Sequence, residues 1–189
     1  MKEFLLNQLS FYGTFDDKET KIIENSFREI DLKKDEYFLK EDKVCNYVGL
    51  IKTGLLLYIK ISDDGQEVVV DFGKENEWVT QYQSFISRTK ASLNIKACEQ
   101  TTIFRISYDK LIELYETVPR MESVVRKLLE KVFIQMVQRT EDFQTLKAEE
   151  RYEKLMLENP SILQRVPQYY IASYLGTAPQ SLSRIRKNV

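Results

Sequence analysis

Three polar side chains near the C-terminus lie on one face of a predicted helix: Gln180, Arg184 and Lys187. At about 100° per residue, the opposite face is apolar. That apolar face consists of Leu182, Ile185 and Val189. Gln and Arg can each form two hydrogen bonds with one base edge in the DNA major groove, and Lys can contact phosphate. The spacing therefore predicts a helix that packs on one side and can contact DNA on the other.

A second short helix is predicted just before this one. Ile171 and Leu175 lie four residues apart, and Gly176 suits the left-handed stop that ends many helices. The run from Thr177 to Gln180 has the spacing of a capping box, and Pro179 fits a first helical turn. Two helices joined by so short a turn form a helix-turn-helix pattern.

Charge supports the same interpretation. The segment from Ser161 to the end has four cationic residues and no Asp or Glu, whereas the chain as a whole has a formal net charge of −1. A basic segment of this kind is attracted to the DNA backbone. The alternative is a solvated amphipathic helix pair that merely ends the domain. We favour DNA binding, because the helical pattern, the turn and the charge agree.

The whole chain has an ordinary soluble composition, with 189 residues, 43% hydrophobic and 30% charged. No apolar run approaches membrane-spanning length, and the first residues lack a secretion signal, so we expect a cytoplasmic protein without membrane contact. The chain has no histidine. Zinc sites built on Cys and His, His-ligated haem and Ser-His pairs therefore lack their ligands, and we expect neither a metal site nor catalytic residues.

Upstream, helices are predicted over residues 2–11 and 16–30, followed by short β-branched or aromatic runs. These predicted strands cover residues 37–39, 47–52, 54–61, 67–72, 92–97 and 101–107. Asp64-Gly65 between two of them is a strong hairpin signal. The pattern predicts an α+β fold with an antiparallel β-barrel, or jelly roll, and flanking helices.

The longest helical run begins at Pro119 and carries an apolar seam. Its members are Met121, Val125, Leu128, Val132, Met136, Phe143 and Leu146. The seam can be buried against the barrel of the same chain or against a second copy. We favour a homodimer, with one edge of the helix on its own barrel.

The C-terminal motif resembles the Crp/Fnr family of bacterial transcription regulators. The matching residues are Ile171-Ala172, Leu175-Gly176 and the run from Ser181 to Ile185. The upstream order of helices, barrel and long helix is similar to this family more loosely. The resemblance implies a cyclic-nucleotide-binding-like sensor domain over residues 1–118, a dimerisation helix over 119–147 and a helix-turn-helix domain over 148–189.

The resemblance also implies roles for individual residues. Base-reading positions fall on Pro179, Gln180 and Arg184, and positions near phosphates fall on Gln168, Ser181 and Lys187. A proline at 179 departs from relatives with a polar residue there, so direct readout rests on Gln180 and Arg184. Double-stranded DNA, a second copy of the chain and RNA polymerase are the partners that the family implies.

The expected cyclic-nucleotide site is incomplete. The family binds the nucleotide through a Gly-Glu pair and a later Arg, but no Gly-Glu follows Trp78, and Ala91 stands where the Arg would align. We therefore expect no cyclic AMP binding, and either an unknown small-molecule effector or none. The weak candidates for such a pocket are Trp78, Tyr82, Arg88, Lys90 and Ser92.

Together these features predict a non-enzymatic transcription regulator that binds an inverted-repeat operator as a homodimer. The alternative is a small-molecule sensor that acts through protein contacts and does not bind DNA. A barrel enzyme of the cupin kind lacks its usual histidine ligands.

Overall fold

The computed structural model describes residues 3–188. Contacts divide the chain into two compact units. The first unit contains the residues up to Tyr58 together with Phe72–Lys131. The second unit contains Ile59–Asp71 together with the residues from Val132 onward. A short internal segment therefore belongs with the C-terminal part of the chain.

The described residues form helices and strands in a mixed order. The helices are α1 (Glu3–Ser10), α2 (Asp17–Ser26), α3 (Tyr82–Ser87), α4 (Tyr108–Thr117), α5 (Arg120–Thr145), α6 (Ala148–Glu158), α7 (Pro160–Arg165), α8 (Gln168–Tyr174) and α9 (Pro179–Asn188). The strands are β1 (Arg28–Leu32), β2 (Tyr37–Leu39), β3 (Tyr47–Thr53), β4 (Leu56–Ile61), β5 (Glu67–Gly73), β6 (Trp78–Val79), β7 (Asn94–Ala97) and β8 (Thr101–Ser107).

The second helix begins at a capping box. The Asp16 carboxylate accepts from the Glu19 N–H at 2.8 Å, and the Glu19 carboxylate accepts from the Asp16 N–H at 2.9 Å. The helix ends at Ser26, so the prediction of helix through residue 30 was wrong beyond this point. Phe27 is extended, with φ −99° and ψ 146°. From Glu29 to Leu32 charged and apolar residues alternate, which suits a strand better than a helix.

The strands form two four-stranded sheets, in the orders β1-β8-β3-β6 and β2-β7-β4-β5. The pairings β1–β8, β3–β8, β3–β6 and β2–β7 are antiparallel. Both sheets contribute to one core, because Leu50 and Ile103 from the first and Leu56 and Ile95 from the second are fully buried within it. The predicted antiparallel jelly roll with flanking helices is confirmed.

The hairpin predicted at Asp64-Gly65 forms between β4 and β5. The Ser62 N–H donates to the Gln66 carbonyl at 3.0 Å, and the Gly65 N–H donates to the Ser62 carbonyl at 2.8 Å. Gly65 has a φ of +80°, which glycine adopts without strain. The hairpin from Ile59 to Asp71 lies in the second unit, whereas the remaining residues of β4 and β5 lie in the first.

The long helix α5 has 26 residues and changes character along its length. Met121 and Val124 near its start are buried, and the Lys127 ammonium donates to the Tyr12 carbonyl at 2.8 Å. Beyond these turns the apolar side chains are exposed: Val132, Phe133, Ile134, Met136, Val137 and Phe143. Among the described residues, no helix is long and apolar enough to cross a membrane.

Candidate nucleic-acid interface

The turn between α8 and α9 is fixed by backbone hydrogen bonds at the end of α8. The Gly176 N–H donates to the Ser173 carbonyl at 3.0 Å, and the Thr177 N–H donates to the Ala172 carbonyl at 2.9 Å. This pair of bonds is a Schellman motif. Gly176 has the left-handed φ of +64° that the motif requires, as the sequence predicted. The chain therefore stops one helix and starts the next within four residues.

Gly176 is also crowded by another element of the second unit. A Cβ atom at this position would lie 2.6 Å from Cζ and 3.0 Å from Cε2 of Phe143, on α5. Real Cβ atoms essentially never approach a carbon so closely. The turn therefore needs glycine both for its backbone conformation and for its lack of a side chain.

Arg151 on α6 connects the C-terminal ends of two other helices. Its guanidinium donates to the Leu175 carbonyl from Nε at 3.2 Å and from Nη2 at 2.7 Å. Nη1 donates to the Leu146 carbonyl at 2.5 Å, just after the end of α5. The guanidinium also lies over the Phe143 ring, 4.5 Å from its centroid. A cation is favourable at both places, because helix C-terminal carbonyls carry partial negative charge.

An ion pair also joins α5 and α6. The Lys154 ammonium lies 2.5 Å from a carboxylate oxygen of Asp142. Hydrogen bonding to Lys154 lowers the pKa of Asp142, and the same bond raises the pKa of Lys154. Both groups are therefore charged at neutral pH and help to hold α6 on the end of α5.

One buried side chain anchors α9. Leu182 is 1% exposed, and it belongs to the apolar interior of the second unit. The buried residues on the neighbouring helices are Tyr152, Leu155, Ile162, Tyr170, Ile171, Ala172 and Leu175. Ile185 is partly buried on the same face, and the third predicted apolar residue, Val189, lies outside the described residues.

The opposite face of α9 is open to solvent. Gln180, Arg184 and Lys187 are all exposed. The remaining predicted contact residues, Pro179 and Ser181 on α9 and Gln168 at the start of α8, are exposed as well. Arg186 adds a further exposed cation near the C-terminus of the helix. The structure thus presents the predicted base-reading and phosphate-contacting side chains on the surface.

The predicted pocket residues have more varied surroundings. Trp78 is partly buried and packs edge-on against Phe27, with ring centroids 6.2 Å apart. Tyr82 and Ser92 are exposed, and the exposed Lys90 lies 3.9 Å from Asp42. The aromatic ring of Trp78 therefore contributes to packing, while Tyr82, Lys90 and Ser92 are surface residues.

Arg88 donates its hydrogen bonds to groups of the protein itself. It adopts a left-handed φ of 57° at the C-cap of α3. Its Nη1 donates to the carbonyls of Cys45 at 3.0 Å and Phe85 at 3.1 Å, and Nη2 donates to Asn46 Oδ1 at 2.5 Å. The guanidinium also lies 4.5 Å from the centroid of the Tyr108 ring. These contacts occupy several of the donors that a phosphate would need.

A surface cavity of about 280 Å³ lies elsewhere in the first unit. It is lined by residues 37–40 and 43–47, around the connection between β2 and β3. None of the five predicted pocket residues lines this cavity, although Asn46 in its wall accepts a hydrogen bond from Arg88.

Sequence reasoning missed the residues that support the turn before α9. Arg151 sits in a charged helical run, and its contact with Leu175 joins positions 24 residues apart. Phe143 was assigned to the apolar seam, but its ring also covers Gly176. No local periodicity reports contacts between distant residues, so these roles became visible only in the fold.

Comparison with protein families identifies the class of the N-terminal part. Residues 29–118 match the family model described as "Cyclic nucleotide-binding domain". This range begins at the second residue of β1, includes β2 to β8 and runs on through α4. This part of the chain is therefore similar to domains of the cyclic-nucleotide-binding type. A search of curated proteins finds no match.

Solved structures with the same fold include bacterial regulators. The c-di-GMP-responsive global regulator CLP of Xanthomonas campestris aligns with a TM-score of 0.71 at 17% identity, covering 92% of this chain and 91% of CLP. FixK2 of Bradyrhizobium japonicum aligns with a TM-score of 0.68 at 21% identity, covering 86% and 83%. A protein of Eubacterium rectale assigned to the Crp/Fnr family of transcriptional regulators gives 0.70 at 18% identity, covering 92% and 83%.

These neighbours share the fold over 86% to 92% of this chain. The Eubacterium rectale protein belongs by its name to the Crp/Fnr family, which the sequence of this chain resembles. CLP is by its name a global regulator that acts on gene expression.

Proposed function

We propose that this chain is a DNA-binding transcriptional regulator of the Crp/Fnr type that binds an inverted-repeat operator as a homodimer. The observation that carries the proposal is the two-sided α9 helix. Leu182 is buried on one face of α9, while Gln180, Arg184 and Lys187 are exposed on the opposite face. A helix that packs on the protein through one face and exposes polar side chains on the other is suited to the major groove. Gln180 and Arg184 supply discrimination between bases, and Lys187 contacts phosphate.

The homodimer is supported by the uncovered half of α5. Phe133 is 67% exposed, Ile134 68% and Met136 62%. Apolar side chains grouped on a helix in this way are stabilised when a partner covers them. In a two-fold dimer the two α9 helices enter successive major grooves about 34 Å apart, so the operator is an inverted repeat.

The proposal includes a domain that does not use cyclic AMP as its effector. Ala91 occupies the position where the family has its phosphate-binding Arg, and it is 3% exposed. Arg88 and Lys90 are the nearby cations, and the structure pairs Arg88 with protein carbonyls and Lys90 with Asp42. Any effector is then another small molecule, and RNA polymerase is a further partner. The alternative of a sensor without DNA binding is not favoured, because the structural neighbours are transcription regulators.

Replacing Arg184 with Ala tests the proposed readout. Because Arg184 is exposed, the Arg184→Ala variant should fold normally and lose about 1–3 kcal/mol of discrimination at one base pair. The measurement is competition binding against operator variants that each carry one base-pair change. Arg186→Ala is the matched control, since Arg186 is also exposed but lies off the face of Gln180 and Arg184. It should weaken all variants about equally. An unchanged preference profile in Arg184→Ala would count against the proposal.

A further inference from the structure

The hairpin strand β5 is bonded directly to the first helix of the helix-turn-helix, inside the second unit. The Val69 N–H donates to Ser173 Oγ at 2.9 Å. The Tyr170 hydroxyl donates to the Glu67 carboxylate. β5 is the edge strand of its sheet. Edge strands carry backbone groups without a strand partner, and here α8 provides a partner for one of them.

A third contact brings α5 into the same arrangement. Arg139 forms an ion pair with Asp71 at 2.7 Å and donates to the Val70 carbonyl. Its guanidinium also lies over the ring of Tyr174, 4.4 Å from the centroid. One arginine therefore contacts both the hairpin strand and α8.

The bond between Tyr170 and Glu67 is partly buried. Tyr170 is 6% exposed. Burial raises the pKa of Tyr170 far above its ordinary value, and the hydrogen bond to Glu67 raises it further. The hydroxyl therefore remains a proton donor at any physiological pH. Bonds from a neutral donor to a carboxylate are stronger than bonds between neutral groups.

We infer that these residues form a clasp through which the β4–β5 hairpin positions the helix-turn-helix. The clasp consists of Glu67, Val69, Asp71, Arg139, Tyr170 and Ser173. It holds α8, and α8 in turn holds α9 through the Schellman turn and the shared apolar interior. The inference rests on the proposed function, because positioning matters when α9 reads DNA.

A double variant, Tyr170→Phe with Ser173→Ala, tests the clasp. It removes the two hydroxyl groups and keeps the buried ring of Tyr170. The readout is amide hydrogen exchange of the full chain. With two bonds lost, exchange of the Val69 amide and of the α8 amides should become roughly tenfold faster.

The matched control is Thr140→Ala with Thr145→Ala. These two hydroxyls donate to carbonyls of their own helix, Met136 at 2.9 Å and Glu141 at 2.8 Å, and not to a residue of the clasp, although Thr140 directly follows Arg139 in the chain. The control should leave exchange in the hairpin and α8 unchanged. Circular dichroism of both variants establishes that they remain folded.

Operator binding then separates positioning from readout. The clasp variant should bind the operator roughly tenfold more weakly, with unchanged preferences at individual base pairs. Unchanged exchange at Val69 would overturn the inference. The inference would also be overturned if exchange at Val69 became faster while α8 exchange and operator affinity equalled those of the control. The bond to Ser173 would then protect the edge of β5 without positioning α8. If the unmodified chain binds no DNA, the proposed function fails, and exchange in α8 alone decides whether the clasp exists.

Discussion

Gly176 combines a left-handed backbone with a close neighbour, the ring of Phe143. Its left-handed backbone follows from sequence, because a glycine after an apolar helical run is a typical C-terminal stop. The crowding by Phe143 does not follow from sequence, since the two residues are far apart in the chain. The same contrast applies to the exposed face of α9. Helical periodicity predicts which side chains share a face, but it does not reveal that Arg151 supports the turn from behind.

Replacing Gly176 with Ala should therefore be more costly than the same change at another left-handed glycine. Gly65 has a φ of +80° and nothing within 4 Å of an added Cβ, so Gly65→Ala should lose only about 1–2 kcal/mol of unfolding free energy. Gly176→Ala adds the clash with Phe143 and should lose about 1–3 kcal/mol more. Denaturant unfolding of both variants measures the difference. Equal losses would mean that the Phe143 ring moves aside freely.

At the scale of elements, the sequence predicted a helix or hairpin best where the repeating apolar pattern was long or the turn residues were distinctive. The Asp64-Gly65 hairpin and the long helix α5 were predicted because each has a local signature. The end of α2 was misplaced, since Phe27 continues the apolar pattern of the helix into the start of β1. The short β6 and α3 were missed because two residues are too few to show alternation and six residues span fewer than two turns of helix. Tertiary packing defines such elements.

The apolar half of α5 is the predicted dimer interface, and substitutions there test it. Val132 is 37% exposed and Met136 62% exposed, so replacing both with Glu leaves the interior intact. If this surface is the dimer interface, the buried charges would be unpaired, and the variant should be monomeric. Analytical ultracentrifugation measures the mass.

The control replaces Lys131 and Gln135 with Glu. These exposed residues precede each target by one position on the same helix and introduce charge with the same spacing. This control should have the same oligomeric state as the unmodified chain. A dimer that persists in the Val132→Glu, Met136→Glu variant would place the interface elsewhere.

At the scale of the whole molecule, the jelly roll and the C-terminal helices could be predicted from the number and order of elements. The grouping of the hairpin 59–71 with the C-terminal helices could not, because it depends on contacts such as Val69 to Ser173, 104 residues apart. The surface cavity around residues 37–47 was likewise absent from the prediction. Its lining residues carry no motif that distinguishes them from other strand and turn residues.

Titration with cyclic AMP tests the proposal that this chain does not bind the nucleotide. With Ala91 at the phosphate-binding position and Arg88 bonded to the protein, isothermal calorimetry should record no binding heat at micromolar nucleotide. Arg88→Ala serves as the comparison variant. A micromolar isotherm that disappears in Arg88→Ala would contradict the proposal and show that Arg88 can leave its carbonyl partners for phosphate.

The central claim is that two copies of α9 read DNA, and recovery of bound genomic fragments tests it most directly. Fragments captured by the full chain should share an inverted repeat whose half-sites lie about 10–10.5 base pairs apart, centre to centre. A Gln180→Ala, Arg184→Ala variant, prepared in parallel, should lose this enrichment. Fragments without a repeat, or the same fragments recovered by the double variant, would contradict the claim.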